Sequence, residues 1–211
     1  MKKILIRAGV VSLIGLSVSS CSTKGHGKKI EQNSTELAGN WDLGCSEKDF
    51  MGFTGVKENL GFSFIGDYER SIRLHDDTRC KTEVGRFDVK GTYAVLGATA
   101  NTTDGTRDIN LTLSEFDFTI LTDSLAAVVN GGNFCGRSDW AVNQTVSLLG
   151  LDCAIGKINR GDVIYDIFLI EKNSLFFNDQ LGVVGFRPSA IRPEKLDTSH
   201  PYVKKSALSV G

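Results

Sequence analysis

The side chains with most capacity for chemistry are three histidines, at 26, 75 and 200, and five cysteines, at 21, 45, 80, 135 and 153. Their spacing does not build an active site. No C-x-x-C pair occurs and no histidine stands at a ligand-like distance from a cysteine, so zinc chemistry lacks its usual donor set and no metal is expected. His75-Asp76-Asp77 is the one local cluster of titratable groups inside the globular part. It reads as a solvated turn after a strand rather than as a base or a cation site. His26 lies in a polar stretch and reads as a solvated linker residue. Asp67 with Glu69, and Asp117 between Phe116 and Phe118, take alternating outward positions rather than forming paired catalytic carboxylates. The chain contains no G-x-S-x-G, Walker-type, G-x-G-x-x-G or H-E-x-x-H pattern. No catalytic residue, enzymatic activity or cofactor is therefore assigned.

The elements around these residues begin with an export pattern. Lys2, Lys3 and Arg7 precede a short apolar run, residues 8–16, and small residues lead to Cys21. The apolar run is too short to span a bilayer comfortably. Val18-Ser19-Ser20-Cys21 resembles the lipobox of bacterial lipoproteins. That resemblance implies cleavage before Cys21, acylation of its sulfur and new N-terminus, and anchoring to the membrane. Ser22, rather than Asp, implies delivery to the outer membrane, with the domain facing the periplasm or the cell surface. Residues 1–20 are then a leader, and residues 21–35 a lipidated Cys with a polar tether. Such a tether spans roughly 20 Å root-mean-square. A domain is expected over residues 36–205, followed by a disordered tail at 206–211. Net charge is −1 over 211 residues, and losing the basic leader makes the remainder more acidic. Nothing here suggests nucleic-acid binding, which needs a basic face. A monomer is expected.

Assigning Cys21 to lipid leaves Cys45, Cys80, Cys135 and Cys153, an even number in an oxidising compartment, and two disulfides follow. Three pairings are possible. Cys45–Cys80 with Cys135–Cys153 is favoured, because the second pair bounds one loop-like stretch.

From Leu37 onward, short runs of β-branched and aromatic residues alternate with Gly, Asn and Asp, the punctuation of an all-β domain. Strands are expected at 38–45, 60–65, 70–75, 87–96, 108–121, 163–171 and 174–178. Alternation reverses parity near Ser114-Glu115, which predicts a bulge there or a break into two strands. Residues 101–105 and Lys172-Asn173 read as hairpin turns. Residues 122–130 form the best helix candidate, capped by Asp123 or Ser124, with Leu125, Val128 and Val129 on its apolar face. About eight strands with strand-to-strand connections close most economically into an antiparallel barrel with one or two short helices.

On the first strand, Gly39-x-Trp41 resembles the G-x-W signature of lipocalins, in which the Trp closes one barrel end against a basic side chain. Residues 135–143, 165–177 and 192–205 resemble pieces of small bacterial lipoproteins with such domains. The resemblance implies a lipocalin-like barrel, with Arg187 or Arg192 as the basic partner of Trp41. It also implies a small apolar or amphipathic ligand inside, for which Phe64, Tyr93, Phe118 and Phe168 are candidate contacts. Trp140 is expected either to cap a barrel end or to pack beneath the Cys135–Cys153 loop. The alternative function is an envelope protein- or glycan-interaction module, with a barrel filled by its own side chains and loops such as 130–160 exposed.

Overall fold

The computed structural model describes residues 35–50, 53–99, 105–153, 156–178 and 192–205, with side chains of 48–50 excepted. Residues 1–34, expected as leader and tether, the hairpin residues 101–104, Arg187 and the expected tail at 206–211 lie outside the described residues. Strands β1 (Gly39–Phe50), β2 (Phe53–Phe62), β3 (Asp67–His75), β4 (Glu83–Ala98) and β5 (Arg107–Ile120) form an antiparallel meander. The helix α1 (Asp123–Gly131), a single 3-10 turn (Phe134–Gly136) and the short strands β6 (Thr145–Ser147), β7 (Asp152–Cys153) and β8 (Gly156–Lys157) follow. Strands β9 (Val163–Glu171), β10 (Ser174–Phe176) and β11 (Tyr202–Lys204) complete the circuit. β5 pairs with β9, and β11 returns to β1, so eight strands close a lipocalin-like all-β barrel.

Register places the ends. Gly39 pairs with Phe62 and Asp67 with Thr92, so the start of β1 and the β2–β3 turn share one end, here the near end. The β4–β5 and β9–β10 connections and the end of β11 lie there too. The far end carries the β3–β4 loop and the α1 insertion. β5 outruns β9, and its upper half pairs instead with β6. There Leu125 and Val129 of α1 are buried, whereas Val128, expected on the same apolar face, is 42% exposed. The N-cap is Thr122, whose Oγ1 accepts from Leu125 N at 3.4 Å, one residue before the expected position.

Several strand boundaries depart from the sequence reading: β1 runs on to Phe50, β4 starts at Glu83, and the starts of β2 and β3 move as well. β2 begins at Phe53, not Leu60, and β3 at Asp67, not Arg70. Val56, Glu58, Leu60 and Phe62 all bury, as do Tyr68, Arg70 and Ile72. A charged residue at an inward position hides the alternation on which a strand is recognised. The parity change in β5 is a bulge: Lys90 pairs with Glu115 and Gly91 with Leu113, leaving Ser114 between them in one continuous strand.

Both disulfides take the favoured pairing. Cys45–Cys80 ties β1 to the β3–β4 loop, and Cys135–Cys153 ties the 3-10 turn to β7. Gly55 lets the first loop lie against β2. A Cβ there would run into the Asp77 carbonyl, so only glycine admits this approach.

Candidate functional site

The barrel interior is where the fold could hold a ligand, and inward side chains of each strand line it. Toward the far end Phe87 stacks on Phe118 with centroids 4.2 Å apart, and Phe118 meets the edges of Phe134 and Trp140. Toward the near end Phe62 contacts Tyr93, Tyr68 and Phe177, and Phe177 reaches Phe168 and Tyr202. These rings touch one another and, Phe134 apart, are all buried. The barrel's own side chains thus pack against one another at both ends of the interior.

A charged layer lies between the two ring clusters. Glu58, fully buried, accepts from Arg70 Nη2 at 2.6 Å and Nε at 3.1 Å, and from the Tyr202 hydroxyl at 2.8 Å, all on Oε2. Burial alone would lower the Arg70 pKa, but the Glu58 charge outweighs it and holds the guanidinium protonated. Burial pushes the Tyr202 phenol well up, reinforced by Glu58. Asp166, also interior, accepts from Asn178 Nδ2 at 2.5 Å and Ile167 N at 2.7 Å, yet burial raises its pKa to about 6. Two deep polar atoms, Glu58 Oε1 and the Tyr68 hydroxyl, have no hydrogen-bond partner among the described residues. Sequence reading missed this layer. The available signal was a charge at an inward parity position: Glu58 between Val56 and Leu60, Arg70 between Tyr68 and Ile72, and Asp166 between Ile164 and Phe168.

Of the four candidate ligand contacts, Tyr93, Phe118 and Phe168 are buried in the ring clusters. Phe64 is not interior. It sits in the β2–β3 turn and is 66% exposed, because β2 ends at Phe62 and the alternation stops there. Trp41 closes the near end. Its indole N–H donates to the Leu37 carbonyl at 2.8 Å, and Lys204 Nζ lies 4.9 Å from its ring centroid. Lys204, rather than Arg192, thus supplies a basic cover for Trp41, because β11 is the direct neighbour of β1 and pairs Lys204 with Trp41. Gly39, at φ +127°, permits this cover, since a Cβ would meet Lys204 Cε at 2.9 Å. Arg192 lies elsewhere. It stacks over Tyr165, donates to the Asn110 side chain and to the carbonyls of Ile109 and Asp166, and pairs with Asp108. Trp140 packs beneath the 3-10 turn that carries Cys135, its N–H on the Phe134 carbonyl.

The polar clusters resolve as structural. His75 is buried at the end of β3, not solvated, with Nδ1 near the Arg73 carbonyl. Asp77 accepts from the backbone N–H groups of Thr82, Lys81 and Arg79, which hold its carboxyl below the usual range and brace the loop. Ser199, His200 and Asp197 also meet, but Ser199 Oγ and Asp197 Oδ2 both address His200 Nδ1. A proton relay needs the two partners on opposite ring nitrogens, so this trio is a turn rather than a triad.

The outer face offers a different surface. A groove of about 630 Å³ crosses the outward side of β2 to β5, lined by Asn59, Glu69, Arg73, Asp88, Lys90 and Asp117 among others. Lys90 pairs with Glu115 at 2.8 Å, while Asp88 and Asp117 stand directly opposite one another in register. No protein-family model matches this chain, and no curated protein matches it.

Proposed function

We propose that this chain is an outer-membrane lipoprotein, acylated at Cys21, whose lipocalin-like barrel is an envelope interaction module rather than an enzyme. Its partner is hydrophilic, a glycan or a protein surface, engaged on the polar outer face. The observation that carries this reading is the packing of the interior: Phe87 and Phe118 in full contact, Phe62 and Tyr93 edge to face, and Glu58 clamped by Arg70 and Tyr202. A core of this kind is a rigid pedestal for a surface. The groove supplies the surface, and its facing carboxylates, Asp117 and Asp88, the latter paired with Arg86 at 3.2 Å, can accept from a hydrogen-bond donor.

Two experiments test the reading. Cys21→Ser is expected to move the protein from the membrane fraction to the soluble one; retention in the membrane contradicts the anchor. The released protein, added back to washed envelopes, is expected to bind saturably, and Asp88→Lys with Asp117→Lys to abolish that binding. A second reading, a small ligand held inside, is favoured by the unpartnered Glu58 Oε1 and Tyr68 hydroxyl. One-to-one uptake of a fluorescent fatty-acid probe by the released protein would shift the conclusion to it.

A further inference from the structure

Four large apolar side chains are prominently exposed among the described residues, and two of them are adjacent: Phe64 at 66% and Ile65 at 83%, at the tip of the β2–β3 turn. We infer that this tip contacts the phospholipid bilayer to which the chain is tethered, an inference that rests on the anchoring of Cys21. Two observations carry it beyond the exposure of an apolar pair.

The first is position. Gly39 pairs with Phe62, so the turn stands beside the point where the chain enters the barrel from residues 22–35. A tether ending at that point holds the near end toward the membrane, and the tip is carried with it. The second is construction. Ser63 N donates to the Asp67 carbonyl at 2.8 Å, and Asp67 N to Ser63 Oγ at 2.9 Å. Tyr93 then braces the turn from β4, its N–H on the Gly66 carbonyl at 2.7 Å and its hydroxyl on the Ser63 carbonyl at 2.8 Å. Backbone groups of Ser63, Gly66 and Asp67 are thus satisfied within the protein, which lowers the cost of moving the turn out of water. The apolar side chains are presented on a fixed mount, so little ordering entropy is lost when they meet the bilayer.

The charges at this end set the mode of contact. Lys205 pairs with Asp42 at 2.6 Å and Arg107 with Glu36 at 3.6 Å, and Lys204 Nζ donates to the Glu36 carbonyl at 3.3 Å. With both signs present, the contact is apolar rather than electrostatic, and it holds in zwitterionic lipid and high salt.

Phe64→Trp supplies the probe, since Trp41 and Trp140 are 1% and 4% exposed and contribute a constant background. In the acylated full chain on phosphatidylcholine vesicles, the emission of the introduced indole is expected to shift to the blue. Brominated lipid should quench it, equally at low and high salt. Emission unchanged from that in solution overturns the inference, and quenching that disappears in high salt overturns its apolar basis. The mass of the Cys21 peptide reports acylation separately. If the chain proves unacylated, the same quenching in excess vesicles decides the question, with a shift supporting the tip and none refuting it. Phe64→Ser with Ile65→Ser is expected to reduce co-flotation of the Cys21→Ser protein with vesicles by about tenfold. A dimer that this pair converts to a monomer would assign the tip to a second copy of the chain instead.

Discussion

Glu58 gathers three donors on one carboxylate oxygen at zero exposure, and its partner Arg70 is almost as deep. A buried pair of this kind adds little over a well-packed apolar pair, but removing one member leaves the other uncompensated. Glu58→Gln is therefore expected to destabilise the barrel by about 3–5 kcal/mol in denaturant unfolding, and the double change Glu58→Leu with Arg70→Met to recover most of that loss. Asp166 behaves oppositely. Its folded pKa of about 6 lies above the ordinary 3.8, so the folded protein binds more protons than the unfolded chain between those values. Stability from this group is then greatest below the unfolded pKa and falls as pH rises toward about 6. Asp166→Asn keeps an acceptor for Asn178 and Ile167 without the charge. It should flatten the decline over this range and raise stability at pH 8 by about 1–3 kcal/mol, seen in unfolding curves at a series of pH values.

At the scale of elements, the two disulfides serve the parts of the far end that the sheet does not hold. The β3–β4 loop is braced by Asp77 and tied to β1 by Cys45–Cys80 across 35 residues. Replacing that pair with serines should cost about 3–4 kcal/mol in chemical unfolding. Gly55→Ala is expected to disturb the same loop with both cysteines in place, because the new Cβ meets the Asp77 carbonyl and crowds Cys80 Sγ. Limited proteolysis within residues 76–82 would read that disturbance, and an unchanged digestion pattern would contradict it. The α1 insertion is held differently: Cys135–Cys153 pins its 3-10 turn, while Phe134 and Trp140 lay their rings on Phe118. The insertion is thereby continuous with the core rather than a loop resting on it.

For the whole molecule, closure depends on the three residues of β11. Tyr202 reaches Glu58 in the interior, Lys204 covers Trp41, and the backbone joins β1 to β10. Removing residues 202–211 should open the sheet, expose two edges and abolish cooperative unfolding; a truncated chain that kept its transition would show that closure is dispensable. Much of this was legible in the chain. Turn residues and alternation sufficed for β1, β4, β5, β9 and the bulge at Ser114, because these signals are local and repeat every two residues. The cysteine pairing was legible as a preference, and Gly39 and Trp41 as a barrel end. The strand role of residues 53–59 was not, because an inward Glu58 looks like a solvent-facing residue until Arg70 and Tyr202 are brought to it across 12 and 144 positions. The same holds for the basic cover of Trp41, which depends on which strand closes the barrel. By itself the sequence determined most of the long strands, the one helix and the cysteines available for pairing. Only the tertiary structure decided which rings meet inside the barrel, that Phe64 and Ile65 face outward, and that charge is buried in the interior, since each depends on contacts between residues far apart in the chain.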